Sequence, residues 1–147
     1  LPQVVVPGCL DFTNWWVGQV PDKYRQREFY QYNVEIMLMR TNADEFSTLG
    51  QLFGERLSAA KGPVSVLIPG GGMSALVGRK TSDLAGNMLG MWAQPDIDRV
   101  FVKTLKRYLP VNVIKELPHH INDSPFADAC VTEMIRMMPA RLKPARH

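Results

Sequence analysis

Cysteine is nearly absent: Cys9 and Cys130 are the only two in 147 residues, far apart and beside different elements. That excludes a disulfide framework and suits a reducing compartment. Long apolar runs are missing as well. None approaches the roughly 18 residues that span a bilayer, and no signal peptide precedes the first strand, so the expectation is a soluble, cytoplasmic protein with no membrane partner. A charge excess of one sign is missing: 17 Lys and Arg against 14 Asp and Glu leave +3, with the basic residues scattered. A nucleic-acid binder concentrates positive charge on one face, so nucleic acid is not an expected partner. Internal repeats and low-complexity segments are lacking. No Gly-Lys-Ser/Thr of a P-loop, no dinucleotide GxGxxG unit and no zinc-ligand spacing occurs, so no metal is expected.

What is present is a repeated pattern. Four short apolar runs each end in a glycine-rich or polar cluster: Val4–Val6 before Gly8-Cys9-Leu10-Asp11, Val34–Met39 before Arg40-Thr41-Asn42, Val64–Ile68 before Gly70-Gly71-Gly72-Met73-Ser74, and Val111–Leu117 before His119-His120-Ile121-Asn122-Asp123. Helix-like segments follow the last three. Such alternation predicts an α/β fold, a three-layer Rossmann-like open parallel sheet with right-handed crossovers. Ligands of open α/β sheets bind outside the carboxyl ends of the strands, where these clusters would lie. The length and the 46% hydrophobic fraction fit one domain, or one lobe of a larger protein. Residues 1–138 are assigned to that lobe, and 139–147, with Arg141, Lys143 and Arg146, to a flexible basic tail. The chain opens on Leu1 rather than Met, which points to a processed, truncated or cleaved product.

Between the strands, Gly8–Asn33 reads as a long aromatic connection with Trp15, Trp16, Tyr24, Phe29, Tyr30 and Tyr32. Asn42 with Glu45 is a capping box, followed by an apolar stripe at Phe46, Leu49, Leu52, Phe53 and Leu57. Val77–Gln94, rich in Gly and Met, reads as a mobile loop or lid. A second helix starts near Pro95, and a third is expected to be capped by Ser124 and stopped by Pro139.

The chemistry-bearing residues group at the strand ends. Backbone N–H groups of Gly70, Gly71 and Gly72 are candidates to cradle phosphate or carboxylate, or to form an oxyanion site; the competing reading is a tight turn capped by Ser74. Ser74 sits in a broken nucleophile-elbow pattern, with Leu76 at the position of the last Gly. His120 is favoured over His119 to face the site, because strand alternation puts Pro118 and Asn122 on its side. Asp11, with Gly8, Cys9 and Asn14 nearby, either orients a histidine or grips a ribose hydroxyl, or caps a turn. Arg40, beside Thr41, suits an anionic group or a structural ion pair. Asp123 completes the histidine turn.

Taken together, Val6-Pro7-Gly8-Cys9-Leu10-Asp11 with Asn14, Leu38-Met39-Arg40-Thr41, Gly62-Pro63-Val64, Gly72-Met73-Ser74-Ala75-Leu76 and His120-Ile121-Asn122-Asp123 through Phe126-Ala127-Asp128-Ala129 resemble one family. It comprises mostly uncharacterised bacterial and fungal proteins related to the nucleotide-binding inhibitory domain of a tomato protein that confers tobamovirus resistance. The resemblance covers about Pro2 to Met138. It implies the C-terminal half of a two-lobed protein, with an N-terminal Rossmann-like lobe as partner in the same gene or as a separate chain. It also implies binding of ATP or a related nucleotide by the full protein, and a homo-oligomer. Two departures stand out: the family often has a bulkier pair such as Leu-Arg in place of Gly70-Gly71, and Val77–Pro95 is longer here.

Three functions are therefore weighed. The first is a lobe holding a nucleotide or another anionic metabolite through Gly70–Ser74, Arg40 and Thr41, with Gly8, Cys9, Asn14, His119, Asn122 and Asp123 around it. The second is a hydrolase- or lyase-type enzyme with His120 as general acid–base, oriented by Asp11 or Asp123, glycine-loop N–H groups as an oxyanion site, and Ser74 beside it. The third is a protein-interaction module using the aromatic segment 15–32.

Overall fold

The continuous β-branched run at Val64–Pro69 is buried almost throughout, which suits a central strand. In the computed structural model, which describes residues 1–139, this strand (β5) pairs in parallel with Gln3–Val5 (β1) on one side and Ile114–Leu117 (β8) on the other. A second, antiparallel sheet runs in the order β2 (Phe12–Trp16), β4 (Ile36–Arg40), β3 (Phe29–Gln31), β6 (Lys80–Ser82) and β7 (Met88–Met91). Three helices complete the fold: α1 (Ala43–Ser58), α2 (Pro95–Leu105) and α3 (Ser124–Met137).

Alternation along the parallel strands sorts their side chains. Val66, Ile68 and Ile114 face α1 and α2, where Phe46, Phe101 and Leu105 fill the main core and Phe53 and Phe101 meet edge-on at 5.4 Å. Ser65 and Lys115 face the other way, toward Glu133 of α3. The α/β class and the layering of helices on both faces of a parallel sheet match the expectation. The capping box is also present, with the Asn42 side chain accepting from the Glu45 N–H and the Glu45 carboxylate accepting from the Asn42 N–H.

Several elements differ from the sequence reading. The run at Val34–Met39 is not parallel: β4 is antiparallel to both β2 and β3. Met37 and Met39 bury on one face of that sheet and Leu38 on the other. A strand covered on both faces shows the same unbroken apolar run in either kind of sheet. The Gly8–Asn33 connection contains two strands and a 3-10 turn at Asp22–Tyr24, and Trp15, Tyr24 and Phe29 belong to a core cluster rather than to a free aromatic surface. Val77–Gln94 is not a lid but holds the β6–β7 hairpin and ends on Trp92, buried at 1% exposure. Val111–Val113 is a 3-10 turn ahead of β8. Asp123, not Ser124, holds the N-cap position of α3. The basic tail expected over 139–147 lies, from 140 on, outside the described residues. No helix among the described residues is long and apolar enough to cross a membrane.

The α3 face carries one buried charge. Glu133 accepts from Arg136 at 2.8 Å and Lys115 at 2.5 Å. These bonds, that of Arg136 foremost, outweigh burial, and with the Ser65 hydroxyl alongside they hold its carboxyl down at about 2, against 4.5 ordinarily. A carboxylate with a depressed folded-state value stabilises above its unfolded value and loses that contribution as pH falls through the folded one. Urea unfolding from neutral pH down to pH about 3 is therefore expected to show a steeper acid loss for the native chain than for Glu133→Gln. Identical pH slopes would contradict the assignment.

Candidate functional site

The loops that follow β1, β4, β5 and β8 meet. Asp11, buried at 5% exposure, accepts through one carboxylate oxygen from the Ser74 hydroxyl at 2.6 Å and the Trp92 indole N–H at 2.8 Å. Its other carboxylate oxygen is buried and has no hydrogen-bond partner among the described residues. Arg40 comes in from β4, also buried. Its Nε donates to the Trp92 carbonyl at 3.0 Å and its Nη1 to the Asp11 carbonyl at 3.2 Å, and its Nη2 pairs with Asp98 of α2. The guanidinium stands 5.6 Å from the ring centres of both Phe46 and Trp92. Burial pushes the Asp98 carboxyl up, the Arg40 pair opposes that, and the charge of Asp11 adds to the rise. Thr41 anchors the first loop, its hydroxyl donating to the Leu10 carbonyl at 2.7 Å and its N–H to that of Asp11 at 3.0 Å.

His120 joins the same assembly from the other side. Its Nε2–H donates to the Ser74 carbonyl at 2.8 Å, while its Nδ1 accepts the Asn122 N–H at 3.1 Å. Asp123 accepts the His120 backbone N–H at 2.8 Å. Both ring nitrogens are thus engaged, and the Ser74 Oγ is buried between Asp11 and the Leu76 N–H. This geometry holds Ser74 and His120 as ties between loops. It presents neither a serine aimed at solvent nor an imidazole in contact with the serine hydroxyl, so the acid–base reading of His120 gains nothing from it.

The glycine turn is packed in the same way. Gly70 N–H donates to the Leu117 carbonyl, Gly71 N–H to that of His119 and Gly72 N–H to that of Pro69, at 2.7, 2.9 and 3.2 Å, and Gly72 accepts from the Ile121 N–H. The expectation of free glycine N–H groups is corrected: the end of β8 bonds one and the histidine loop after it another, because β5 and β8 are neighbours and their loops run on side by side. Gly72 has φ +135°, a conformation side chains rarely adopt. His119 is half-buried at this turn.

Of the remaining candidates, Gly8 and Cys9 border the converging loops, the Cys9 N–H donating to the Met73 carbonyl at 3.0 Å. Cys9 is exposed, with φ +55°, and burial of its sulfur together with the Asp11 charge pushes the thiol up, away from a reactive thiolate. Gly8 packs against Ile121, and Asn14 is exposed on β2. No group of three or more His, Cys, Asp or Glu side chains among the described residues could hold a metal ion.

What does open at the carboxyl end of β5 is a cleft of about 220 Å³ between the glycine turn and the first turn of α2. Gly70–Gly72, Pro95, Asp98, Arg99 and Glu116 line it. The Gln94 side chain at the α2 N-cap makes no capping bond and turns instead to Glu28, and the helix borders the cleft through Pro95, Asp98 and Arg99. Among the described residues Arg99 pairs only with exposed Asp96, at 3.4 Å, a bond weak enough to exchange for another. Sequence reasoning missed Trp92, Asp98 and Arg99. The signals were a lone Trp in a Gly- and Met-rich stretch and the acidic first turn of α2.

A family model described as the uncharacterised protein family (UPF0261) C-terminal domain matches residues 1–138. A UPF0261 protein of Mesorhizobium japonicum is 40% identical over 133 residues, 88% of this chain and 31% of its own length. One from Rhizobium meliloti is 36% identical over 135 residues, 89% of this chain and 32% of the relative. The ToMV resistance protein Tm-1(GCR237) of Solanum lycopersicum is 30% identical over 143 residues, 95% of this chain and 18% of the relative. The chain therefore spans about a third of the length of these bacterial relatives.

Proposed function

The chain belongs to the uncharacterised protein family UPF0261, as its C-terminal domain, and from that premise we propose that it is a ligand-binding lobe of a longer protein. The ligand class is a nucleotide such as ATP, or another anionic metabolite. Its anionic group sits in the cleft at the carboxyl end of β5. The observation that carries this reading is the cleft itself: a turn of three glycines on one wall and the side of α2 that bears Arg99 on the other. At about 220 Å³ it admits a phosphate or carboxylate rather than a whole nucleotide. The remainder of the ligand then contacts other parts of the full-length protein. Arg99 is the cation free to turn onto the anion. Arg40 is not, because it is buried against Asp98 and acts through the position of α2.

The test is calorimetric titration of the full-length protein with ATP, ADP and inorganic phosphate. Binding of at least one is expected, weakened about tenfold or more by Arg99→Glu, which reverses the charge at the anion. No heat with any of the three, or an unchanged affinity in the variant, would remove the cleft from consideration.

A further inference from the structure

The parallel sheet is covered unequally. Two helices, α1 and α2, lie on one face, and α3 alone lies on the other. Parallel strands in α/β folds are buried on both faces. On the α3 face, Val4 and Lys115 are only half-buried. The helix itself is apolar on two sides. Phe126 and Glu133 point to the sheet and are buried. A second stripe, Ala127, Val131, Met134 and Ile135, recurs at i, i+4, i+7 and i+8, the spacing of one apolar side of a helix. Val131 is 59% exposed and its neighbour in the stripe, Ile135, 37%. A solvent-facing helix side ordinarily carries charge there.

The carboxyl end of this stripe runs into a groove of about 590 Å³ lined by Met134, Met137 and Met138 together with Leu1, Pro2 and Pro63. The first residues of the domain and the apolar stripe therefore share one groove. Relatives are about three times the length of this chain, and the family model is that of a C-terminal domain.

We propose that the α3 stripe seats a helix from the part of the full-length polypeptide that precedes this domain and enters beside Leu1. The stripe runs along the length of α3, which suits a helix laid beside it. Ala127 and Val131 are small enough for the axes to approach to about 8–10 Å. A segment tethered at the end of the groove competes at an effective concentration in the millimolar range, which a free second copy does not reach.

The test uses the full-length protein carrying Val131→Cys or, as reference, Val111→Cys, a position 70% exposed on the 3-10 turn before β8. Maleimide alkylation is followed by site-resolved mass spectrometry. Position 131 is expected to react about tenfold or more slowly than position 111, since alkylation then waits on local opening. Equal rates overturn the proposal. Protection at 131 that disappears on dilution assigns the stripe to a second copy, and overturns it too. Val131→Asp is expected to speed proteolytic cleavage between the domains; should that variant not fold, the near-isosteric cysteine still decides.

Discussion

Arg40→Ala is expected to lower the unfolding free energy by about 3–5 kcal/mol, the range for removing one partner of a buried charge pair. The side chain is 3% exposed and serves three elements at once. It holds α2 through Asp98, the end of the β6–β7 hairpin through the Trp92 carbonyl, and the β1–β2 loop through the Asp11 carbonyl. Removing the guanidinium takes the Arg40 donor from the Trp92 carbonyl, leaves the Asp11 carbonyl with the Thr41 N–H alone, and leaves Asp98 beside Asp11 with no cation between them. Arg40→Lys is expected to recover only part of the loss, because one ammonium cannot donate in three directions from a planar fork. Urea unfolding of the three proteins measures this. A loss below about 1 kcal/mol for Arg40→Ala would mean that water replaces the guanidinium, as at an exposed pair.

Gly71→Ala is the second large effect, at about 3 kcal/mol from overpacking. An added methyl would lie 2.6 Å from the His120 nitrogen and 2.7 Å from the His119 carbonyl carbon. Both are backbone atoms, so no side chain can rotate away; the two loops must separate. Separation also strains the bond from the Ile121 N–H to the Gly72 carbonyl and that from His120 to the Ser74 carbonyl. Faster amide exchange at Ile121 should accompany the loss of stability. Gly78→Ala is the control, with nothing within 4 Å of the added carbon, and is expected to be near neutral. A stable Gly71→Ala protein with native exchange at Ile121 would show that the turn is not held against the histidine loop.

The two predictions bear on different readings of the same residues. The sequence pattern brought Asp11, Arg40, Ser74 and His120 to one edge as ligand contacts. They do converge, yet on one another. Their polar groups are mostly paired within the protein, and they build the wall behind the cleft rather than its mouth. The residues at the mouth, Asp98 and Arg99, lie on a helix whose start was legible from Pro95 but whose neighbours were not.

Local chemistry set what the sequence determined by itself. The Asn42 capping box, Pro95 at the start of α2, the unbroken run of β5 and the alternation of strands with helices each depend on residues within a few positions, and each was readable. The antiparallel sheet, the burial of Trp92 and the pairing of Arg40 with Asp98 were decided only by tertiary structure. A strand buried on both faces carries no mark of its neighbours' direction. A contact across 58 positions leaves no period in the chain. The same limit governed the glycine turn: its freedom of conformation was visible in three successive glycines, but what occupied the freed space was set by β8 lying beside β5.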